Sequence, residues 1–127
     1  MTITMSNPKQ ILMIDANTRN LDLLAEFLSK QGFRSIRTTS VEEFNKLIIT
    51  NTDGIGLAMI DISGFSRDIW LACEQLTERN IPFIVVSPKQ VATIREEGRV
   101  HGAREVLTKP LVAKDLLSLI RSVMGER

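Results

Sequence analysis

The chain has 127 residues, with 16 basic and 15 acidic side chains and a formal net charge of +1, so no bulk field draws it to nucleic acid or to a membrane surface. Apolar residues make up 43% and charged residues 24%, which excludes a disordered chain, and no apolar run approaches the roughly 20 residues of a membrane span. One cysteine and one histidine exclude an internal disulfide framework and a zinc or iron–sulfur centre.

This length suits one domain, 1–127, that buries about two thirds of its surface. Residues 1–8 read as an N-terminal extension. They lack the basic and then long apolar segments of a secretory signal, which with the lone thiol points to a cytoplasmic protein.

Ile11-Leu12-Met13-Ile14 reads as a first strand. Asn17 can cap a helix with an apolar stripe of Leu21, Leu24, Phe27 and Leu28, closed by Gly32. Ser35-Ile36-Arg37-Thr38 alternates as a half-buried strand, and Ser40 with Glu43 forms a capping-box pair ahead of a helix carrying Phe44, Leu47 and Ile48. Leu57-Ala58-Met59-Ile60 is a third strand, and the helix after it holds Trp70 and Cys73 and ends near Asn80. Phe83-Ile84-Val85-Val86 follows. A fourth helix, about Gln90 to Val100, is marked only by Val91 and Ile94 and is interrupted by Gly98. Gly102 closes it, Val106-Leu107 forms the fifth strand, and Leu116, Leu119, Ile120 and Val123 mark the last helix.

Strands alternating with helices imply right-handed crossovers and an α/β fold, a doubly wound five-stranded parallel sheet in three layers. The first, third and fourth runs are continuously apolar and read as central. The second alternates and the fifth opens on Arg104-Glu105, so these two read as edges, which gives the order 2-1-3-4-5. Open parallel sheets gather functional groups at the carboxyl ends of their strands. Those ends carry Asp15, Asp61, Ser87 and, just beyond the fifth strand, Lys109.

Several stretches carry a resemblance: Gln10 to Asn17, Asn20 to Leu24 with Gly32-Phe33, Met59-Ile60-Asp61-Ile62, Ile81 to Ser87, and Gly102-Ala103-Arg104-Glu105-Val106-Leu107-Thr108-Lys109-Pro110-Leu111. Over about Lys9 to Val123 the chain resembles the receiver domain of two-component response regulators, which has a flavodoxin-like fold. The Lys-Pro stretch is the most specific of these motifs. The resemblance implies a signalling protein rather than an enzyme. Asp61 would be the carboxylate that accepts a phosphoryl group from a histidine kinase in a phosphorelay, with Ser87 bonding a phosphoryl oxygen and Lys109 offsetting its charge. Asp15 and Asp61, with the Ser63 carbonyl, would hold Mg²⁺. Asp68 matches an aspartate of the loop after the acceptor strand, where it reads as a helix cap.

Four departures qualify this. Ala16 stands where the family has a second acid, and a methyl group offers Mg²⁺ no ligand. One unit charge at 4 Å is worth on the order of 4 kcal/mol at an effective dielectric of 20, so Mg²⁺ remains possible but weakened. Pro88 lacks the N–H that usually bonds the phosphoryl group, a loss of about 1.5–3 kcal/mol. Val106 replaces a frequent switch aromatic, and Gly64-Phe65 replaces Met-Pro.

The expectation is therefore an atypical receiver, or pseudo-receiver, whose Mg²⁺-dependent phosphorylation is impaired by Ala16 and Pro88. It would act mainly through contact with a histidine kinase or other signalling protein. The alternative is a conventional single-domain response regulator phosphorylated on Asp61. The fourth helix, fifth strand and fifth helix form the expected contact face, in a monomer or weak dimer with no nucleic-acid or membrane partner. Lys89, Arg95, Arg99 and Arg104 lie there and read most simply as a solvated face. Cys73 and Trp70 read as packing, and His101 as a surface or capping residue. A nucleotide-binding enzyme would need a Gly-rich phosphate loop after the first strand, and Asp15-Ala16-Asn17-Thr18-Arg19-Asn20 is not one.

Overall fold

The structure is a computed structural model that describes residues 9–125, so the extension expected over 1–8 lies outside the described residues. Strands β1 (Gln10–Ile14), β2 (Ser35–Thr38), β3 (Ile55–Asp61), β4 (Phe83–Ser87) and β5 (Glu105–Thr108) alternate with helices α1 (Thr18–Lys30), α2 (Val41–Thr50), α3 (Asp68–Glu78), α4 (Ala92–Val100) and α5 (Ala113–Met124). A single 3₁₀ turn at Thr52–Gly54 leads into β3. All strands pair in parallel in the order β2-β1-β3-β4-β5.

The two-residue side-chain period of a strand divides the core into two layers. Leu12 and Ile14 of β1, Ala58 and Ile60 of β3 and Phe83 and Val85 of β4 pack with Phe44 and Ile48 of α2 and Ile69, Ala72, Cys73 and Leu76 of α3. Their neighbours Ile11, Met13, Leu57, Met59, Ile84 and Val86 face the other way, onto Leu21 and Leu28 of α1 and Leu116 and Ile120 of α5. The central strands are thus apolar through their middles, because both faces are covered, and polar residues stand at their ends. The edge strands β2 and β5 are only half-buried, as their mixed sequences imply.

The helix ends follow the local chemistry. Asn17 accepts the Asn20 N–H at 3.1 Å, and Ser40 Oγ accepts the Glu43 N–H at 3.2 Å. Beyond α1, α3 and α4 the chain turns through positive φ at Gly32 (89°), Asn80 (58°) and Gly102 (93°).

Three expectations are corrected. Gly98 does not interrupt α4. It is the one buried position on that helix, and a Cβ there would come within 2.6 Å of Val106 Cγ2, so glycine lets the helix backbone lie on β5. Val91 precedes the helix and is exposed rather than part of its packed face. Asp68 is the first residue of α3, not its cap, and its carboxylate accepts from Ser66 Oγ at 2.6 Å.

Candidate functional site

Parallel pairing brings the carboxyl ends of β1, β3 and β4 and the segment after β5 to one rim, and with them Asp15, Asp61, Ser87 and Lys109. Asp61 closes β3 and is 6% exposed. Its Oδ1 accepts the Ser63 N–H at 2.9 Å, and its Oδ2 is paired with Lys109 Nζ. Lys109 is held in place by its own backbone N–H, which donates to the Ser87 carbonyl at 2.9 Å. The peptide bond after it, to Pro110, is cis. The ammonium therefore reaches the carboxylate from a strand two places away, an arrangement that only the sheet order produces.

Asp15 follows β1 and is 8% exposed. Its Oδ1 accepts the Asn17 N–H at 2.8 Å. Burial raises its pKa above the ordinary 3.8. The Asn17 N–H lowers it, the nearby Asp61 charge raises it and Lys109 lowers it. The net direction is upward, since desolvation disfavours the charged form and two carboxylates share one buried corner.

Ser87 is 1% exposed. Its hydroxyl donates to the Lys89 carbonyl at 2.6 Å and accepts the Lys89 N–H at 3.3 Å. It is thus turned onto the loop entering α4 rather than onto Asp61. Pro88 follows it, exposed and without an N–H.

Ala16 is exposed on the same rim, and a Cβ built on Gly64 would lie 3.4 Å from its methyl carbon. The loop after β3 therefore rests beside position 16. Gly64 adopts φ of 82°, a conformation that strains residues with a Cβ. Phe65 next to it packs into the core under α2 and α3.

Asp15 and Asp61 present two buried carboxylates, and the Ser63 hydroxyl is buried with no hydrogen-bond partner. Oxygen donors of this kind fit a hard cation. Among the described residues no group of three or more His, Cys, Asp or Glu side chains converges. The set is therefore a pair, because Ala16 contributes no oxygen.

Two features escaped the sequence. A cavity of about 700 Å³ runs between α1 and the segment from β5 into α5. It is walled by Leu21, Leu24, Phe27, Leu111 and Leu116 and reaches Asp15, Asp61 and Lys109. The surplus of leucines on α1, with Leu23 57% exposed, was the available signal. Second, His101 caps the end of α4 as expected, its backbone N–H donating to the Glu97 carbonyl at 3.0 Å, but it also does more. Its ring stacks on Trp70 at 5.3 Å, with Nδ1 3.2 Å from Glu74 and Nε2 3.1 Å from Glu97, tying the end of α4 to α3. Only the tertiary fold brings those two helices together.

Cys73 is fully buried in the core. Lys89, Arg95, Arg99 and Arg104 are exposed as a basic face, and Arg99 pairs with Glu96 at 2.7 Å. Among the described residues no helix is long and apolar enough to cross a membrane.

Comparison with known proteins gives a consistent picture. No protein-family model matches the chain. It is 27% identical over 116 residues to the heme response regulator HssR of Staphylococcus aureus, covering 91% of this chain and 51% of that protein. It is 24% identical over 114 residues to HssR of Staphylococcus saprophyticus, covering 89% and 50%. The chain thus spans about half the length of the curated relatives it matches. Among solved structures, a response-regulator receiver domain protein from Methanospirillum hungatei superposes with a TM-score of 0.84 at 22% identity, over 94% of this chain and 95% of that one. A two-component response regulator from Clostridium difficile gives 0.83 at 21%, over 92% and 96%. These structures share the fold. Taken with the sequence relatives and the rim that gathers Asp15, Asp61, Ser87 and Lys109, they show a chain with the fold of response-regulator receiver domains and similar to them in sequence.

Proposed function

We propose that the chain is a receiver domain of the response-regulator family of two-component signalling, and an atypical one: Asp61 is the phospho-acceptor, Mg²⁺-dependent phosphorylation is impaired, and signalling runs mainly through protein contact rather than through any enzymatic activity. In the transfer itself an Asp61 oxygen attacks the phosphorus of a phosphohistidine. The O–P bond forms as the P–N bond breaks, and the imidazole leaves with the electron pair. Lys109, already paired with Asp61, stays beside the new phosphoryl oxygens. Ser87 must exchange its bond to the Lys89 carbonyl for one to the phosphoryl group. Asp15 and Asp61, with oxygen from Ser63, would hold Mg²⁺, which would supply positive charge beside those oxygens.

The observation that carries the reading is the rim at position 16, where a methyl group beside Gly64 leaves two carboxylates instead of three. Pro88 adds a second deficit, a missing N–H next to Ser87. Conventional phosphorylation on Asp61 is the second reading, favoured by the intact pairing of Asp61 with Lys109. A histidine kinase or another signalling protein is the proposed partner, docking on α4, β5 and α5. There exposed Arg95, Arg99 and Arg104 would meet acidic groups, in a monomer or weak dimer within the cytoplasm.

An amide NMR titration with Mg²⁺, then Mg²⁺ plus beryllofluoride, decides between the two. Beryllofluoride mimics a phosphoryl group on aspartate. The proposal expects weak, unsaturated shifts at millimolar Mg²⁺ and little change in α4 or β5. Saturating shifts that spread from Asp61 to α4 and β5 would establish the conventional reading instead.

A further inference from the structure

We infer that the cavity between α1 and the β5–α5 segment is a binding site for a small amphiphilic cation, a primary amine whose ammonium group sits against Asp15 and whose apolar body lies among Leu21, Leu24, Phe27, Leu111 and Leu116. The volume, about 700 Å³, falls in the range of small-molecule sites, which combine apolar walls with a few convergent polar groups. Leu21 and Leu116 form its buried floor, while Leu24, Phe27 and Leu111 are half-buried around it. Apolar surface is thus left partly wet beside a desolvated corner.

The head group follows from charge. Asp15 and Asp61 both line the cavity, and each is more than nine-tenths buried. Lys109 is paired with Asp61, whereas Asp15 accepts the Asn17 N–H and lies beside the Asp61 carboxyl without a cation of its own among the described residues. Two carboxylates against one ammonium leave a formal charge of −1 at the inner end. An anionic head would be repelled there, and a neutral head would leave that charge uncompensated. An ammonium group supplies both the charge and the donors that Asp15 lacks.

Binding of this kind does not depend on how Asp61 is phosphorylated. Its consequence does rest on the proposed function: an amine at Asp15 would compete with Mg²⁺ and hinder transfer to Asp61. The test therefore reads binding alone, with neither kinase nor phosphoryl mimic present. Octylamine, octanol and octanoate are titrated in turn against the chain by amide NMR. Octylamine is expected to shift Asp15, Leu24, Phe27 and Leu111 with an affinity at least tenfold above that of octanol, and octanoate is expected to bind most weakly. Asp15→Asn should bring octylamine down to the level of octanol, and Leu24→Ala should weaken both together. Equal binding of amine and alcohol, tighter binding of octanoate, or no saturable shifts in an intact spectrum would each overturn the inference.

Discussion

At position 16 a methyl group faces Gly64 across the rim, and its consequence can be measured directly. Ala16→Asp places a third carboxylate beside Asp15 and Asp61, and Mg²⁺ affinity is expected to rise at least tenfold, as read by titration of amide shifts. Equal affinity in the two proteins would refute the role given to Ala16. Asp15 makes a second point about single residues. A carboxyl whose folded pKa lies above its unfolded value holds its proton more tightly when folded, so stability falls as pH rises from the ordinary 3.8 through the raised value. Asp15→Asn should remove that slope while keeping an acceptor for the Asn17 N–H. It should also stabilise the protein near neutral pH by on the order of 1 kcal/mol, the scale of one close like-charge contact in a well-screened setting. Urea unfolding at acidic and neutral pH tests both, and an unchanged slope would place the effect elsewhere. These residues were legible as strand ends. The Asp61–Lys109 pair was also legible, from the strand order, but the turn of Ser87 toward Lys89 was not, because it depends on how a loop closes.

Among the elements, α4 is the most loosely apolar, with one buried residue, Gly98. An interior glycine ordinarily costs a helix about 1 kcal/mol relative to alanine, and here the contact with Val106 outweighs that cost. Val106 is β-branched and stiff at χ1, so it cannot easily swing away from a Cβ placed 2.6 Å from its Cγ2. Gly98→Ala is therefore expected to destabilise by about 1–3 kcal/mol despite its better helix propensity, and Val106→Ala in the same chain should recover most of the loss. Chemical denaturation of the two single variants and the double variant measures the coupling, and additive losses would mean that the two residues do not meet. The pattern Val91, Ile94 and Gly98 misleads in sequence because a helix that packs through a glycine shows no apolar stripe. His101 and Trp70, lone residues of their kinds, are likewise silent until α3 and α4 lie side by side.

Over the whole molecule the two core layers are coupled, since each central strand sends alternate residues into both. Removing Phe44, fully buried under α2, opens a cavity against β1 and β3 and should cost about 3–5 kcal/mol on change to alanine. The loss should be felt on both faces of the sheet in one cooperative transition. Trp70 fluorescence, reporting the α3 side, and amide signals of α5 on the opposite side are expected to disappear at the same denaturant concentration. Separate midpoints would mean that the layers unfold independently.

The sequence by itself determined the class of fold, the strand order and the four rim side chains. Apolar periodicity and strand-end position are local signals, and a parallel sheet turns them into a global arrangement by fixed rules of handedness and burial. It also located the departures at Ala16 and Pro88, which are visible as residue types alone. Only the tertiary structure decided the partner taken by Ser87, the meeting of Gly98 with Val106, the His101 clamp and the apolar cavity ending on Asp15. Each of these joins residues from different elements, and a contact across elements is fixed by packing that no single stretch of sequence encodes.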